Sequence, residues 1–132
     1  MRNFTLKGKE GMLANLLGGA TVVRAVLVDT NLYTFSPALQ YLGEIPLGAR
    51  VDISNPLTGL AFTDGKITSD SGLFPAATGA ESEAIALFVD SGDPNTSLIW
   101  YWDDEDDELP YLPNGGDLVL NWAASVNGIA TL

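Results

Sequence analysis

The sequence predicts an α+β protein built mainly as an antiparallel β sandwich or barrel, with an N-terminal arm and one or two short helices. Three observations support this prediction. An apolar helical stripe lies near the start, six or seven apolar or alternating segments follow it, and turn residues separate those segments. The 132 residues suffice for one hydrophobic core. We therefore expect a single domain over residues 1–132, with an arm over 1–10 and a β-rich body over 11–132.

The first predicted elements are a helix and a buried strand. Within residues 7–18, apolar side chains between Met12 and Leu17 form one stripe, and two glycines then supply a stop. Residues 21–28 are rich in β-branched side chains and almost continuously apolar, which is the pattern of a well-buried strand. Ser36, which is followed by proline, is suited to cap a short helical turn.

The rest of the chain is predicted to be mostly β. Residues 49–53 alternate between apolar and polar, and Asp64-Gly65 indicates a two-residue hairpin between two short apolar segments. Further strands are predicted over residues 82–89, 98–102 and 117–122, with a last short strand or a tail over 129–132.

The charge is distributed very unevenly along the chain. All basic residues lie in the first half, namely Arg2, Lys7, Lys9, Arg24, Arg50 and Lys66. Residues 1–66 carry a formal charge of +1 and residues 67–132 carry −12, which gives the net charge of −11. A pI near 4.1 opposes nonspecific binding to nucleic acid or anionic lipid, and no apolar run is long enough to span a bilayer. We therefore expect neither a nucleic-acid partner nor a membrane.

The chain contains no cysteine and no histidine. This composition excludes disulfides, thiolate nucleophiles, zinc sites with sulfur or imidazole ligands, and Ser-His-Asp or Cys-His catalysis. The remaining enzyme chemistry would use carboxylates, lysine, tyrosine or a metal bound by oxygen. We predict no catalytic residue, no cofactor and no metal, and we expect that the protein is not an enzyme.

Three consecutive aromatic residues occupy positions 100–102. In a regular strand Trp100 and Trp102 share one face, and Tyr101 lies on the other. Core packing is favoured for them, with Trp122 on the neighbouring strand as a cross-strand partner. The alternative makes Trp100 or Trp102 an interface anchor, because tryptophan is enriched in such roles.

Six acidic residues follow the aromatic cluster without interruption: Asp103, Asp104, Glu105, Asp106, Asp107 and Glu108. The favoured interpretation is a solvated hairpin tip between the strands at 98–102 and 117–122. A calcium or magnesium site is disfavoured, because the run has no glycine at the bend and adjacent carboxylates in a strand point to opposite faces. The third interpretation is an acidic patch that docks on a basic partner surface. These three alternatives stay open.

A series of short segments, in order along most of the chain, carries a family resemblance. They are residues 7–10, 24–30, 33–35, 41–42, 45–51, 90–92, 97–99, 109–110 and 113–117, and Trp122. In these segments the chain resembles the capsid decoration proteins of tailed bacteriophages, also called cement or auxiliary head proteins. Each segment is structural rather than catalytic in character.

The resemblance implies a non-enzymatic virion protein, made in the host cytoplasm, that binds the major capsid protein on the outside of the capsid and reinforces the shell. It also implies a homo-oligomer, with a trimer favoured. Residues 1–9 contain three bases and no acid, so Arg2, Lys7 and Lys9 are candidate capsid or oligomer contacts, together with Trp100 and Trp102.

Other functions remain as alternatives. A head–tail or tail component is the nearest of them. An acidic DNA mimic would need carboxylates spaced like phosphates along an elongated surface, and a single compact run fits that poorly. A carboxylate-dependent glycan hydrolase would need two acids facing each other across a cleft.

Overall fold

A computed structural model of the chain describes residues 2–4, 22–58, 61–63, 66–68, 70, 72–104, 109–120 and 130–131. The strands in these residues are β1 (Arg2–Phe4), β2 (Val23–Val28), β3 (Arg50–Ile53), β4 (Ala61–Thr63), β5 (Lys66–Thr68), β6 (Gly72–Phe74), β7 (Ala84–Val89), β8 (Ile99–Asp103), β9 (Leu118–Leu120) and β10 (Ala130–Thr131). Within the same residues the helical elements are two 3-10 turns, Leu42–Glu44 and Leu47–Ala49.

The strands form three antiparallel sheets. The largest has the order β1-β8-β7-β2-β3, a second has the order β10-β5-β4, and β6 pairs with β9 in a third. This arrangement confirms the predicted mainly antiparallel class, in its sandwich-like form. Within the described residues, the sheets do not close into a barrel. The helix predicted over residues 7–18 lies outside the described residues.

The five-stranded sheet is covered on both faces. On one face, side chains from β2, β7 and β8 pack against Phe74 of β6 and Leu118 and Leu120 of β9. On the other face, the segment 33–49 supplies the cover, including Leu42 and Ile45. This double burial explains why β2 and β7 are almost continuously apolar instead of alternating.

Most predicted strands have a counterpart within one or two residues of the predicted bounds. The pairing of Thr63 with Lys66 agrees with the predicted two-residue hairpin. Ser36 caps a turn as predicted, since its hydroxyl accepts the Ala38 amide at 3.2 Å and its carbonyl accepts the Leu39 amide at 3.0 Å. The turn does not continue as a helix, and the 3-10 turns follow it.

The predicted hairpin between the strands at 98–102 and 117–122 is wrong. Strand β8 lies between β1 and β7, so both of its hydrogen-bonding edges are occupied. Strand β9 instead pairs with β6, in the layer that covers one face of the five-stranded sheet. The acidic run therefore lies on a connection between two sheets.

Candidate functional site

The aromatic cluster lies in the core, which confirms the favoured interpretation. Trp100, Tyr101 and Trp102 are all buried within the chain. The predicted shared face of the two tryptophans is wrong, because Trp100 packs with Tyr101 in one core cluster and Trp102 packs in the other. The cause is a β-bulge: Leu87 pairs with Tyr101 and Phe88 pairs with Ile99, which leaves Trp100 as the extra residue.

The two tryptophans consequently have different aromatic neighbours. The Trp102 ring centroid lies 5.0 Å from that of Phe35 and 6.0 Å from that of Tyr33. The Trp100 centroid lies 6.0 Å from that of Tyr101. Since their own chain encloses both tryptophans, neither presents a side chain on the surface as the interface alternative required. Trp122, the expected cross-strand partner, lies outside the described residues.

The acidic run begins inside the protein and then emerges. Asp103 is the last residue of β8 and is only 6% exposed, whereas Asp104 is exposed. The indole Nε1 of Trp102 donates to Asp104 Oδ2 at 3.3 Å. The interpretation of the run as a solvated tip is therefore wrong for its first residue, Asp103. The rest of it, Glu105, Asp106, Asp107 and Glu108, lies outside the described residues.

The start of the predicted arm is a strand of the body. Strand β1 pairs antiparallel with β8, and the register places Arg2 directly opposite Asp103. A basic position of the first half and an acidic position of the second half thus meet within one sheet. Lys7 and Lys9 lie outside the described residues. Among the described candidates, Arg2 lies opposite Asp103 and Trp102 bonds to Asp104, whereas Trp100 packs on the other face of the sheet.

A polar clasp that the sequence did not single out joins β2, β7 and the segment after β3. The Arg24 guanidinium Nε lies 2.8 Å from Asp90 Oδ2, and another nitrogen of the same group donates to the Ser54 carbonyl at 3.0 Å. The buried Ser54 hydroxyl accepts the Ala25 amide at 2.8 Å. These bonds tie strands that are distant in sequence, which is a structural role.

The loop after β7 holds the first 3-10 turn in place. Its carbonyls at Pro94 and Ser97 accept the amides of Gly43 and Leu42, each at 2.9 Å. A Cβ added at Gly43 would lie 3.4 Å from the Pro94 carbonyl and 2.6 Å from Asn95 Oδ1, at the movable end of an exposed side chain. The backbone carbonyls of this loop thereby hold the segment that covers the Trp102 core, while its polar side chains bond within the loop.

Among the described residues, Tyr33 has a pKa that the fold shifts. Burial of the half-exposed ring raises the pKa of its hydroxyl above the ordinary value of 10.0. A backbone hydrogen bond with Ser36 opposes the rise, and the negative charge of Glu44 adds to it. The neutral phenol is therefore favoured in the folded protein.

Several large apolar side chains are exposed, which the sequence pattern did not predict. Leu47 is 76% exposed and Leu32 is 58% exposed. Leu112, Val119, Val22 and Ile53 are also exposed. The one available signal was Leu47, an apolar residue between proline and glycine, two residue types that are typical of turns.

The described part of the chain contains no group of three or more acidic side chains placed to hold a metal ion. Nor does any helix in that part have the length and apolarity needed to cross a membrane. Compared with known proteins, the chain matches no family model and no curated protein.

Proposed function

We propose that this protein is a non-enzymatic structural component of a phage virion, which binds the outside of the capsid shell and stabilises it. The observation that carries the proposal is the ordered series of segments that resembles capsid decoration proteins. Several of these segments form the scaffold: residues 24–28 lie in β2, residues 45–51 lead through a 3-10 turn into β3, and residues 90–92 open the loop after β7.

The charge distribution supports a function by surface contact. A net charge of −11 disfavours DNA as the ligand and favours a protein partner with basic or apolar surface. We propose the major capsid protein as that partner, a homo-oligomer with a trimer favoured as the active form, and the capsid surface as the location. Lys7 and Lys9, which come after β1 in the sequence, are the proposed basic contacts.

Sedimentation with capsid shells tests this function. Purified protein is mixed with shells that lack it, prepared from the phage that encodes it, and the bound fraction is measured as a function of concentration. We expect saturable binding and greater resistance of the shells to heat. Failure of the folded protein to bind these shells would refute the proposal.

A pair of variants tests the proposed basic contacts. Lys9→Glu should weaken shell binding about tenfold or more, because it places a carboxylate at an interface cation. Lys66→Glu makes the same charge change in β5 and serves as the matched control. Equal losses of shell binding in the two variants would show that net charge alone matters and that residues 1–9 do not form the contact.

A further inference from the structure

Asn114 and Gly115 form an exposed Asn-Gly pair shortly before β9, a pair of residue types that is prone to deamidation. In this reaction the backbone nitrogen of the following residue attacks the side-chain amide carbon of asparagine. Glycine favours the attack because it has no side chain to obstruct the approach. The space beside Gly115 is also open, since among the described residues no atom outside its chain neighbours lies within 4 Å of the position that a Cβ there would take.

The side-chain carbonyl of Asn114 is held in a way that assists the attack. Its Oδ1 accepts the Gly116 amide at 2.9 Å. Negative charge builds on this oxygen when the carbon is attacked, and a donated amide stabilises such charge. The fold therefore already supplies the electrophilic half of the reaction.

The attacking nitrogen, in contrast, is held by the chain that follows β6. The Gly115 amide donates to the Ala77 carbonyl at 2.7 Å, and the Ala77 amide donates to the Gly116 carbonyl at 2.9 Å. Asp117 Oδ1 accepts the Ala76 amide at 2.8 Å. We call these three hydrogen bonds the latch. While the latch is closed, the short bond to Ala77 opposes both the loss of the Gly115 amide proton and the movement of the nitrogen.

Several features of the latch favour its local opening. Ala76 has a φ of 47°, in the left-handed region that is unfavourable for a residue with a Cβ, so opening releases strain. Residues 114–117 are all exposed, and exposed backbone hydrogen bonds open at a lower free energy than those of the core. Ala77 is buried in a core cluster, so the side of the latch that carries Gly115 is the one free to move.

We propose that Asn114 is a deamidation site controlled by the latch, at which reaction requires the latch to open. On opening, the Gly115 nitrogen loses its proton to water and bonds to the side-chain carbon of Asn114. The bond from that carbon to Nδ2 breaks, and Nδ2 takes up a proton and leaves as ammonia. Water then opens the resulting imide ring at one of its two carbonyls, which leaves aspartate or isoaspartate at position 114.

The isoaspartate product prevents the latch from closing again. Its main chain runs through the former side chain, which adds one backbone atom before Gly115. The Gly115 amide and the Gly116 carbonyl are thereby shifted out of register with Ala77. The aspartate product keeps the original main chain, and its carboxylate still accepts the Gly116 amide. The isoaspartate route thus makes a brief opening permanent, an inference that goes beyond the proposed function and does not depend on it.

Mass spectrometry of the full chain tests whether the fold controls this site. Folded protein and protein unfolded in guanidinium chloride are incubated at the same pH and temperature, and deamidation of the peptide that contains Asn114 is followed over time. We expect the reaction to be about tenfold slower, or more, in the folded protein. Equal rates in the two states would overturn the proposal.

A matched pair of variants tests the latch itself. Asp117→Ala removes the acceptor of the Ala76 amide and should raise the deamidation rate of the folded protein about threefold or more. Asp93→Ala removes the acceptor of the Asn95 amide, a bond of 2.9 Å in another loop, and should leave the rate unchanged. Circular dichroism confirms that each variant is folded. Any result in which Asp117→Ala fails to accelerate the reaction more than Asp93→Ala does would overturn the proposal.

Hydrogen exchange of the modified protein tests the permanent opening without a substitution. The isoaspartate form is separated from the unmodified chain by chromatography, and exchange of the Ala77 amide is compared in the two. We expect this amide to exchange about tenfold faster, or more, in the isoaspartate form, because its bond to the Gly116 carbonyl is lost. Equal exchange in the two forms would contradict the permanent opening.

Discussion

The β-bulge at Trp100 makes a quantitative prediction about the two core tryptophans. Because the bulge sends Trp100 and Trp102 into different core clusters, their replacement by phenylalanine should be energetically independent. Complete truncation of Trp102 to alanine would cost about 3–5 kcal/mol, a large part of the roughly 5–15 kcal/mol that stabilises a domain of this kind. Replacement by phenylalanine is less disruptive and should lower the free energy of unfolding by about 1–3 kcal/mol at each position.

A double-mutant cycle measures this independence. Urea unfolding followed by far-ultraviolet circular dichroism gives the free energy of unfolding for Trp100→Phe, Trp102→Phe and the double variant. The coupling energy should stay below about 0.5 kcal/mol. As a positive control, Trp102→Phe combined with Phe35→Leu should couple by about 0.5 kcal/mol or more, since those rings are 5.0 Å apart. Coupling of about 1 kcal/mol or more between the tryptophans would refute the bulged strand.

Three further predictions concern the stability of the fold. The pKa of Tyr33 is raised in the folded protein. Its contribution to stability is therefore complete below the unfolded pKa, near 10, and is lost as pH rises through the folded pKa. Above pH 10, the free energy of unfolding should fall less steeply in Tyr33→Phe than in the unchanged chain. In a cycle of Arg24→Gln and Asp90→Asn, the ion pair should couple by about 1 kcal/mol, and 1 M salt should reduce that value. Gly79→Ala should cost about 1–3 kcal/mol more than Gly92→Ala. Both glycines have positive φ, but only the first would place its Cβ against β3, at 2.7 Å.

The local pattern of the sequence was sufficient to predict most strands. Continuous apolar segments correspond to β2 and β7 because both faces of those strands are buried. The pairing partners were not predictable in the same way. Strand β1 pairs with β8 across about a hundred residues, and no local signal specifies such a long-range contact.

The candidate site was predicted only in part. Core burial of Trp102 followed from its residue type, but the bulge adds one residue that a period-two pattern cannot reveal. The exposure of Leu47 depends on how the 3-10 turn lies on the body, and the clasp of Arg24 with Asp90 depends on strand pairing. These features depend on tertiary packing, which the composition and the residue spacing of the sequence do not specify.

Immunogold labelling of intact virions tests the proposed function most directly. Antibodies against this protein are applied to purified particles of a phage whose genome carries its gene, with particles from a deletion strain as the control. The proposal predicts many gold particles distributed over the outer surface of the head and none on the deletion control. Labelling confined to the tail or the head–tail junction, or no labelling of intact particles, would contradict it.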